Sequence, residues 1–317
     1  MALTQSQAKS PARFKIEHIV LGIVILLLII GALFDKPISQ TIMDQNSYFG
    51  TFFQNYSLVF PAIILFMSTQ VLFYRIQKSN VDATAKFAVM FLTLVVAIYE
   101  TWQTVKIALI YTISSLNNIK NKAPIGAANN DNDKHAALPT WYMPTLFIVT
   151  IILVIIGLAL CYKWLATKDE VEMQRLTYVA LAAALAVLAA DIIVNTMKDF
   201  WGRFRPYEMK SDWSNFTSWL HVNGQNGHKS FPSGHSQEAW IALLLPLFVS
   251  PKLGQKRRNT FIFAVVFGCL VALSRLRLGA HFLSDVTMGS FISILVIYVM
   301  ARILNEKLMG DPLNNIN

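Results

Sequence analysis

The chain has 317 residues, 55% hydrophobic and only 14% charged, with a mean hydropathy of +0.47. Soluble proteins carry about 25% charged residues, so the composition excludes a disordered chain, a coiled coil and a charged nucleic-acid-binding surface, and it points to a membrane protein. The net charge of +9, from 27 Lys and Arg against 18 Asp and Glu, is then the anomaly: in such a chain basic residues hold loops on the cytoplasmic side or bind an anion.

Eight stretches are long enough, or nearly so, to cross a hydrocarbon core of about 30 Å: 16–34, 56–74, 87–113, 141–164, 176–197, 235–250, 260–273 and 283–304. The sixth and seventh are short and count as spans only if they continue into the polar motifs at their ends. Lys9, Arg13 and Lys15 precede the first span, and Arg75, Lys78 and Lys86 follow the second. Lys163, Lys168 and Arg175 follow the fourth, Lys252, Lys256, Arg257 and Arg258 the sixth, and Lys307 the eighth. Every second loop is basic, which predicts both termini in the cytoplasm. The first span lacks a small-residue cleavage site and reads as a retained anchor. Segment 114–140 reads as a polar outside loop. Cys161 and Cys269 lie in apolar runs and read as packing residues, not as a disulfide or metal pair.

Two outside loops break the charge pattern. Residues 198–234 hold Lys198, Arg203, Arg205, Lys210 and Lys229, and residues 275–282 hold Arg275 and Arg277. The first contains Lys198-Asp-Phe-Trp-Gly-Arg-Phe-Arg205-Pro206 and, at its end, Phe231-Pro232-Ser233-Gly234-His235-Ser236. The second begins Ser274-Arg275-Leu-Arg-Leu-Gly-Ala-His281 and runs on to Asp285. Fixed cations, two histidines, a Ser-Gly turn and a carboxylate at one membrane depth describe a phosphate site with its own acid and nucleophile.

These segments resemble the three-part signature of the type 2 phosphatidic acid phosphatase superfamily, KxxxxxxRP, PSGH and SRxxxxxHxxxD, with every fixed position present. The resemblance implies an all-α polytopic transmembrane bundle with a six-helix core like the family's. The about eight spans counted here put five before the first motif where members commonly have three, so two front helices are extra, and the basic loops give N-in and C-in topology. The resemblance divides the chain into front helices over 1–170 and a catalytic core over 171–308. It also implies a metal-independent phosphatase, without cofactor, on a lipid phosphomonoester or diphosphate such as phosphatidic acid, phosphatidylglycerol phosphate or undecaprenyl diphosphate. The expected partners are that lipid and the bilayer, with no nucleic acid. The expected place is a plasma membrane, bacterial by its N-in topology, with the site facing outside. The motifs Asn55-Tyr-Ser57 and Asn215-Phe-Thr217 would be glycosylation acceptors in a eukaryote.

Chemistry assigns roles along the signature. Lys198, Arg205 and Arg275 would neutralise the phosphoryl oxygens. Ser233 and the Gly234 N–H would add hydrogen bonds where a helix begins. His281 is the expected nucleophile, Asp285 the carboxylate that holds its tautomer, and His235 the general acid and then base. Arg203, Arg277 and Lys229 fall outside the fixed positions; Arg203 and Arg277 read as solvated or in contact with lipid head groups, with an active role as the alternative, and His221 and His228 read as surface residues. Asp191 and Asn195 share a helix face with Lys198, and Glu100, Gln103 and Lys106 read as a polar seam in the third span. Trp201, Trp213 and Trp219 read as interfacial anchors. Two alternatives stay open: a lipid phosphotransferase with a sugar or lipid acceptor, and a non-catalytic lipid binder or transporter.

Overall fold

The computed structural model describes residues 16–127 and 138–309. Lys9, Arg13 and Lys15, and part of the 114–140 segment, lie outside the described residues. Those described form an all-helical bundle of α1 (Ile16–Ile42), α2 (Tyr48–Tyr56), α3 (Phe60–Gln77), α4 (Ala83–Lys120), α5 (Tyr142–Leu165), α6 (Glu170–Trp201), α7 (Gly234–Trp240), α8 (Leu245–Phe248), α9 (Gly254–Arg277) and α10 (Leu283–Ile303). Local chemistry sets several ends. The Asp82 and Asp169 carboxylates accept from the Ala85 and Glu172 N–H groups at 2.9 and 2.8 Å, capping α4 and α6. Gly202 takes φ +54°, a left-handed turn that costs glycine little, and stops α6 just before Arg203 and Arg205.

Among the described residues, seven helical stretches are long and apolar enough to cross a membrane: α1, α2 with α3, α4, α5, α6, α9 and α10. The expected sixth span over 235–250 is not among them. It is broken into α7, a 3₁₀ stretch (Ile241–Leu244) and α8, and most of it is buried. It still reaches from one face to the other. α7 begins at the motif face, while the Leu247 carbonyl accepts from Arg175 Nη1 at 2.9 Å beside the start of α6. There Arg175 also pairs with Glu172 (2.8 Å) and Glu306 (3.1 Å), and Glu306 takes Arg257 of early α9 at 2.7 Å. The 3₁₀ turn contributes to this reach, since it rises about 2.0 Å per residue against about 1.5 Å in an α-helix. Arg175 and Arg257, expected as loose loop charges, are thus ion-paired at the far face.

Two other boundaries move. α1 does not stop at 34 but continues through Asp35, Lys36 and Pro37 to Ile42. α4 has 38 residues and runs to Lys120, so the start of the expected 114–140 loop is helical; at about 1.5 Å per residue it is some 57 Å long, well beyond a hydrocarbon core.

The main core joins α3, α6 and the 241–248 run. Ile64, Val71 and Tyr74 meet Leu176 and Val179, and Ala180, Ala183, Ala186 and Ala190 form a buried small-residue stripe that lets neighbours approach closely. This one cluster crosses position 170, so front helices and motif-bearing helices share a core. Outward, Phe87, Phe91 and Leu92 of α4 and Ile148, Ile151 and Ile155 of α5 are exposed, an apolar surface suited to lipid. Cys161 packs beside Phe66, Ala97 and Val154, whereas Cys269 is exposed on α9.

Candidate active site

The end of α6, the start of α7, the end of α9 and the start of α10 meet at one face, and α2 lies against them. All eight expected residues come together here. Lys198 rests on the Ser-Gly turn so closely that a Cβ on Gly234 would stand 2.4 Å from its Nζ. His235 lies within electrostatic reach of Arg275, His281, Arg205 and Lys198. Arg275 is buried and donates from Nη1 to Gln54 Oε1 at 3.1 Å. Arg205 donates to the Tyr207 hydroxyl at 2.7 Å. The Ser233 hydroxyl accepts from the Ser236 N–H at 3.3 Å, capping α7, and keeps its own proton to donate.

The cations of this face fall into two groups. Arg203 pairs with Asp35 and Asp285, Arg277 with Asp44 and Lys229 with Asp199. Among the described residues, Lys198, Arg205 and Arg275 form no ion pair with a carboxylate. Arg275 is buried while Lys198 and Arg205 are half-buried; a buried charge without a paired counter-charge is costly, and a phosphate would supply one.

His281 is 2% exposed and its Nδ1 lies 2.7 Å from the Ser230 carbonyl. A carbonyl only accepts, so Nδ1 carries the proton and Nε2 keeps the lone pair. Burial, reinforced by the Arg205 and Arg275 guanidiniums, pushes the imidazole down to about 3 against the pull of Asp285. The ring is therefore neutral at neutral pH, as a nucleophile must be. Asp285 was expected to hold this tautomer, but its Oδ2 stands 3.8 Å from Nδ1. Its oxygens instead accept from Arg203 Nη1 (2.5 Å), the Ser230 hydroxyl (2.5 Å) and the Phe282 N–H (2.8 Å). Asp285 fixes Ser230, and Ser230 fixes the histidine.

Several participants are not marked by the sequence pattern. Arg203 is fully buried between Asp35 and Asp285, not a surface residue. Gln54 of α2 holds Arg275 through its side chain, and its carbonyl lies 3.4 Å from His235 Nε2. The Tyr111 ring of α4 is 6.0 Å from the His235 ring. Trp201 and Trp219, expected as anchors, pack on Phe231, and Trp219 Nε1 donates to the Leu28 carbonyl at 3.1 Å. Trp213 sits edge-on to Phe282. His228 stacks on Phe204 and meets Glu208 at 3.1 Å, while His221 is exposed. Asp191 and Asn195 are exposed and bonded to each other at 2.8 Å. On α4, Glu100 and Gln103 are half-buried and Lys106 is exposed. Asn55, a glycosylation acceptor only if the source were a eukaryote, is buried and donates to Ser115 at 3.0 Å.

Residues 179–309 match the family model described as the PAP2 superfamily. The chain carries a PAP2 superfamily domain. A phosphatidylglycerophosphatase B from Bacillus subtilis (strain 168) is 30% identical over 131 residues, which are 39% of this chain and 57% of that protein. The alignment thus spans little more than half of the relative's length. No solved structure matches the chain. The PAP2 domain contains all three motif segments, while α1 to α5, with Asp35, Gln54 and Tyr111, precede it.

Proposed function

We propose that this chain is an integral membrane lipid phosphatase acting through a phosphohistidine on His281. The observation that carries the proposal is the neutral His281 ring, its Nδ1 proton committed to Ser230 and its Nε2 free, beside three cations without carboxylate partners. Lys198, Arg205 and Arg275 hold the phosphoryl oxygens and withdraw the charge that would repel a nucleophile. Burial and the charges of Arg275, His281, Arg205 and Lys198 hold His235 well below its usual pKa, so it takes up its proton together with the phosphate dianion that offsets those cations. Nε2 then attacks phosphorus, the bond from phosphorus to the lipid oxygen breaks, and His235 gives that oxygen its proton. His235 then takes a proton from water, the water oxygen attacks phosphorus, and the P–N bond breaks to release phosphate and neutral His281.

The relative is named for phosphatidylglycerophosphate, which makes that phosphomonoester the first substrate to assay, with phosphatidic acid and undecaprenyl diphosphate beside it. The outer membrane face is favoured by charge. Arg75, Lys78, Lys86, Lys168, Lys252, Lys256 and Arg258 cluster at helix ends opposite the site, and the positive-inside rule assigns that face to the cytoplasm.

The test is phosphate release by the detergent-purified chain from these three lipids, with and without EDTA, alongside His281→Ala. Release from at least one lipid, insensitive to EDTA and abolished in the variant, is expected. No release from any lipid refutes the phosphatase reading, wild-type rates in His281→Ala refute the nucleophile, and loss with EDTA refutes the metal-free route.

A further inference from the structure

The nucleophile is tied to a residue about 250 positions away in sequence. Arg203 Nη2 donates to Asp35 Oδ2 at 3.0 Å, and Nη1 donates to Asp285 Oδ1 at 2.5 Å and to the Ser284 hydroxyl at 2.9 Å. Its Nε donates to the Thr217 carbonyl at 3.0 Å, and its guanidinium lies over the Phe282 ring at 4.1 Å. Asp35 also accepts from the Ser284 N–H at 3.1 Å and from the Ser284 hydroxyl. It therefore grips both the arginine that holds Asp285 and the first turn of α10, from which Asp285 projects. Asp35, Arg203, Ser284 and Asp285 are each at most 1% exposed.

We propose that Asp35 of α1 is a positioning residue for the nucleophile, acting through Arg203 and Ser284 on Asp285, through Asp285 on Ser230, and through the Ser230 carbonyl on His281. The proposal rests on His281 being the nucleophile, as above. Two considerations favour it over a purely structural bond. Buried ion pairs add little to stability compared with apolar side chains of the same size, so two carboxylates around one buried arginine are a poor way to join helices. They are well suited to chemistry, because the triad keeps one negative charge in excess. That charge lies beside the imidazole that becomes positive when phosphorylated, and the triad is already arranged before reaction. Without Asp35, Arg203 and Asp285 would cancel.

The experiment uses the full chain in detergent as wild type, Asp35→Asn and Ser284→Ala, the last leaving both carboxylates and the arginine in place. Single-turnover quench with phosphorus-labelled lipid substrate gives a rate constant and an amplitude; the amplitude counts competent sites. Misplacing a reacting group by about 1 Å costs on the order of a hundredfold. Asp35→Asn should therefore lower the rate constant about tenfold to a hundredfold at unchanged amplitude, with a smaller drop in the same sense for Ser284→Ala. A reduced amplitude with a wild-type rate constant would mean that Asp35 serves only folding, and it overturns the proposal. Vanadate, which occupies a phosphate site whatever the lipid, supplies an independent arm. Its Kd should rise about tenfold in Asp35→Asn, and an unchanged Kd overturns the proposal. If the wild type binds vanadate but hydrolyses no lipid, the phosphatase reading has failed and the vanadate arm still decides the role of Asp35.

Discussion

Consider Asp285→Asn, an isosteric change that removes one charge at the centre of the site. The native carboxylate accepts from Arg203, Ser230 and Phe282 and stands 3.8 Å from His281 Nδ1. An amide keeps one acceptor oxygen and turns two donor hydrogens toward groups that also donate, so at least one of the three bonds fails. The electrostatic loss can be sized from the 3.8 Å separation. At an effective dielectric of about 20, a unit charge on the imidazole gains about 4 kcal/mol from the carboxylate at that distance. Each 1.36 kcal/mol is about tenfold in rate, so the ceiling is roughly a thousandfold. Arg203, 2.5 Å from the same carboxylate, opposes part of that field, which brings the expected loss nearer a hundredfold. Removing one partner of a buried pair also costs about 3–5 kcal/mol of stability, so a lower melting temperature accompanies the slow rate. The assay is again single-turnover quench, which separates the phosphorylation rate from the fraction of folded sites. A phosphorylation rate within about threefold of wild type would refute the claim that Asp285 stabilises the charged imidazole, leaving it only a framework role.

Gly234→Ala places a methyl 2.4 Å from Lys198 Nζ, and the flexible lysine tip gives way before the backbone does. Losing one charge-assisted phosphate contact, about 1.5–3 kcal/mol, should raise KM about tenfold to a hundredfold with melting temperature unchanged; a normal KM would remove Lys198 from the phosphate cradle. The pH dependence follows from His281, whose folded pKa of about 3 lies below the usual value of 6.5. As pH falls below about 6.5 the unfolded chain takes up the proton first, so this residue's contribution to stability declines from about pH 6.5 toward 3. Thermal unfolding of wild type and His281→Gln across that window should converge as pH is lowered, and parallel curves would contradict the neutral buried ring.

Much of the site was legible because its information is local. Lys198 and Arg205 straddle one helix end, Ser233 to His235 form one turn, and His281 and Asp285 lie four apart, so spacing groups residues within each segment, and the resemblance to the three-part signature implies that the segments meet. What escaped is long-range. Asp35 meets Arg203 across 168 positions and Gln54 meets Arg275 across 221, and no periodicity links such pairs. A signal for Asp35 did exist, since a carboxylate inside an apolar helix needs a partner. It was missed because the first apolar run ends at 34, which leaves Asp35 outside the expected span, whereas α1 continues past it. The broken sixth span was legible only as a short apolar run. Its continuous hydrophobicity reflects burial among helices, and its 3₁₀ turn leaves no mark in composition. Asp285 was paired with His281 by its four-residue spacing, yet the bond to Nδ1 goes to a backbone carbonyl that no side-chain motif can encode.

The contacts of α1 and α2 also bear on what the PAP2 domain can do by itself. Residues 179–309 hold every motif residue, but Arg203 reaches outside them for one of its two carboxylates and Arg275 for Gln54. Residues 179–309 alone would leave Arg203 with Asp285 as its one counter-charge, and would leave the Arg275 guanidinium without the amide that holds it. The net charge of +9 acquires a structural meaning in the same way. At the far face Arg175 and Arg257 share Glu172 and Glu306, and at the site face Arg203, Arg277 and Lys229 have their acids. Among the described residues Arg275 has none within reach, while Lys198 and Arg205 feel Glu238 and Glu208 without forming an ion pair with them, and arginine cannot escape by losing a proton. The front helices thus neutralise the cation that organises the nucleophile and leave without a direct ion pair those that would meet the phosphate, so the distribution of ion pairs distinguishes scaffold from binding site.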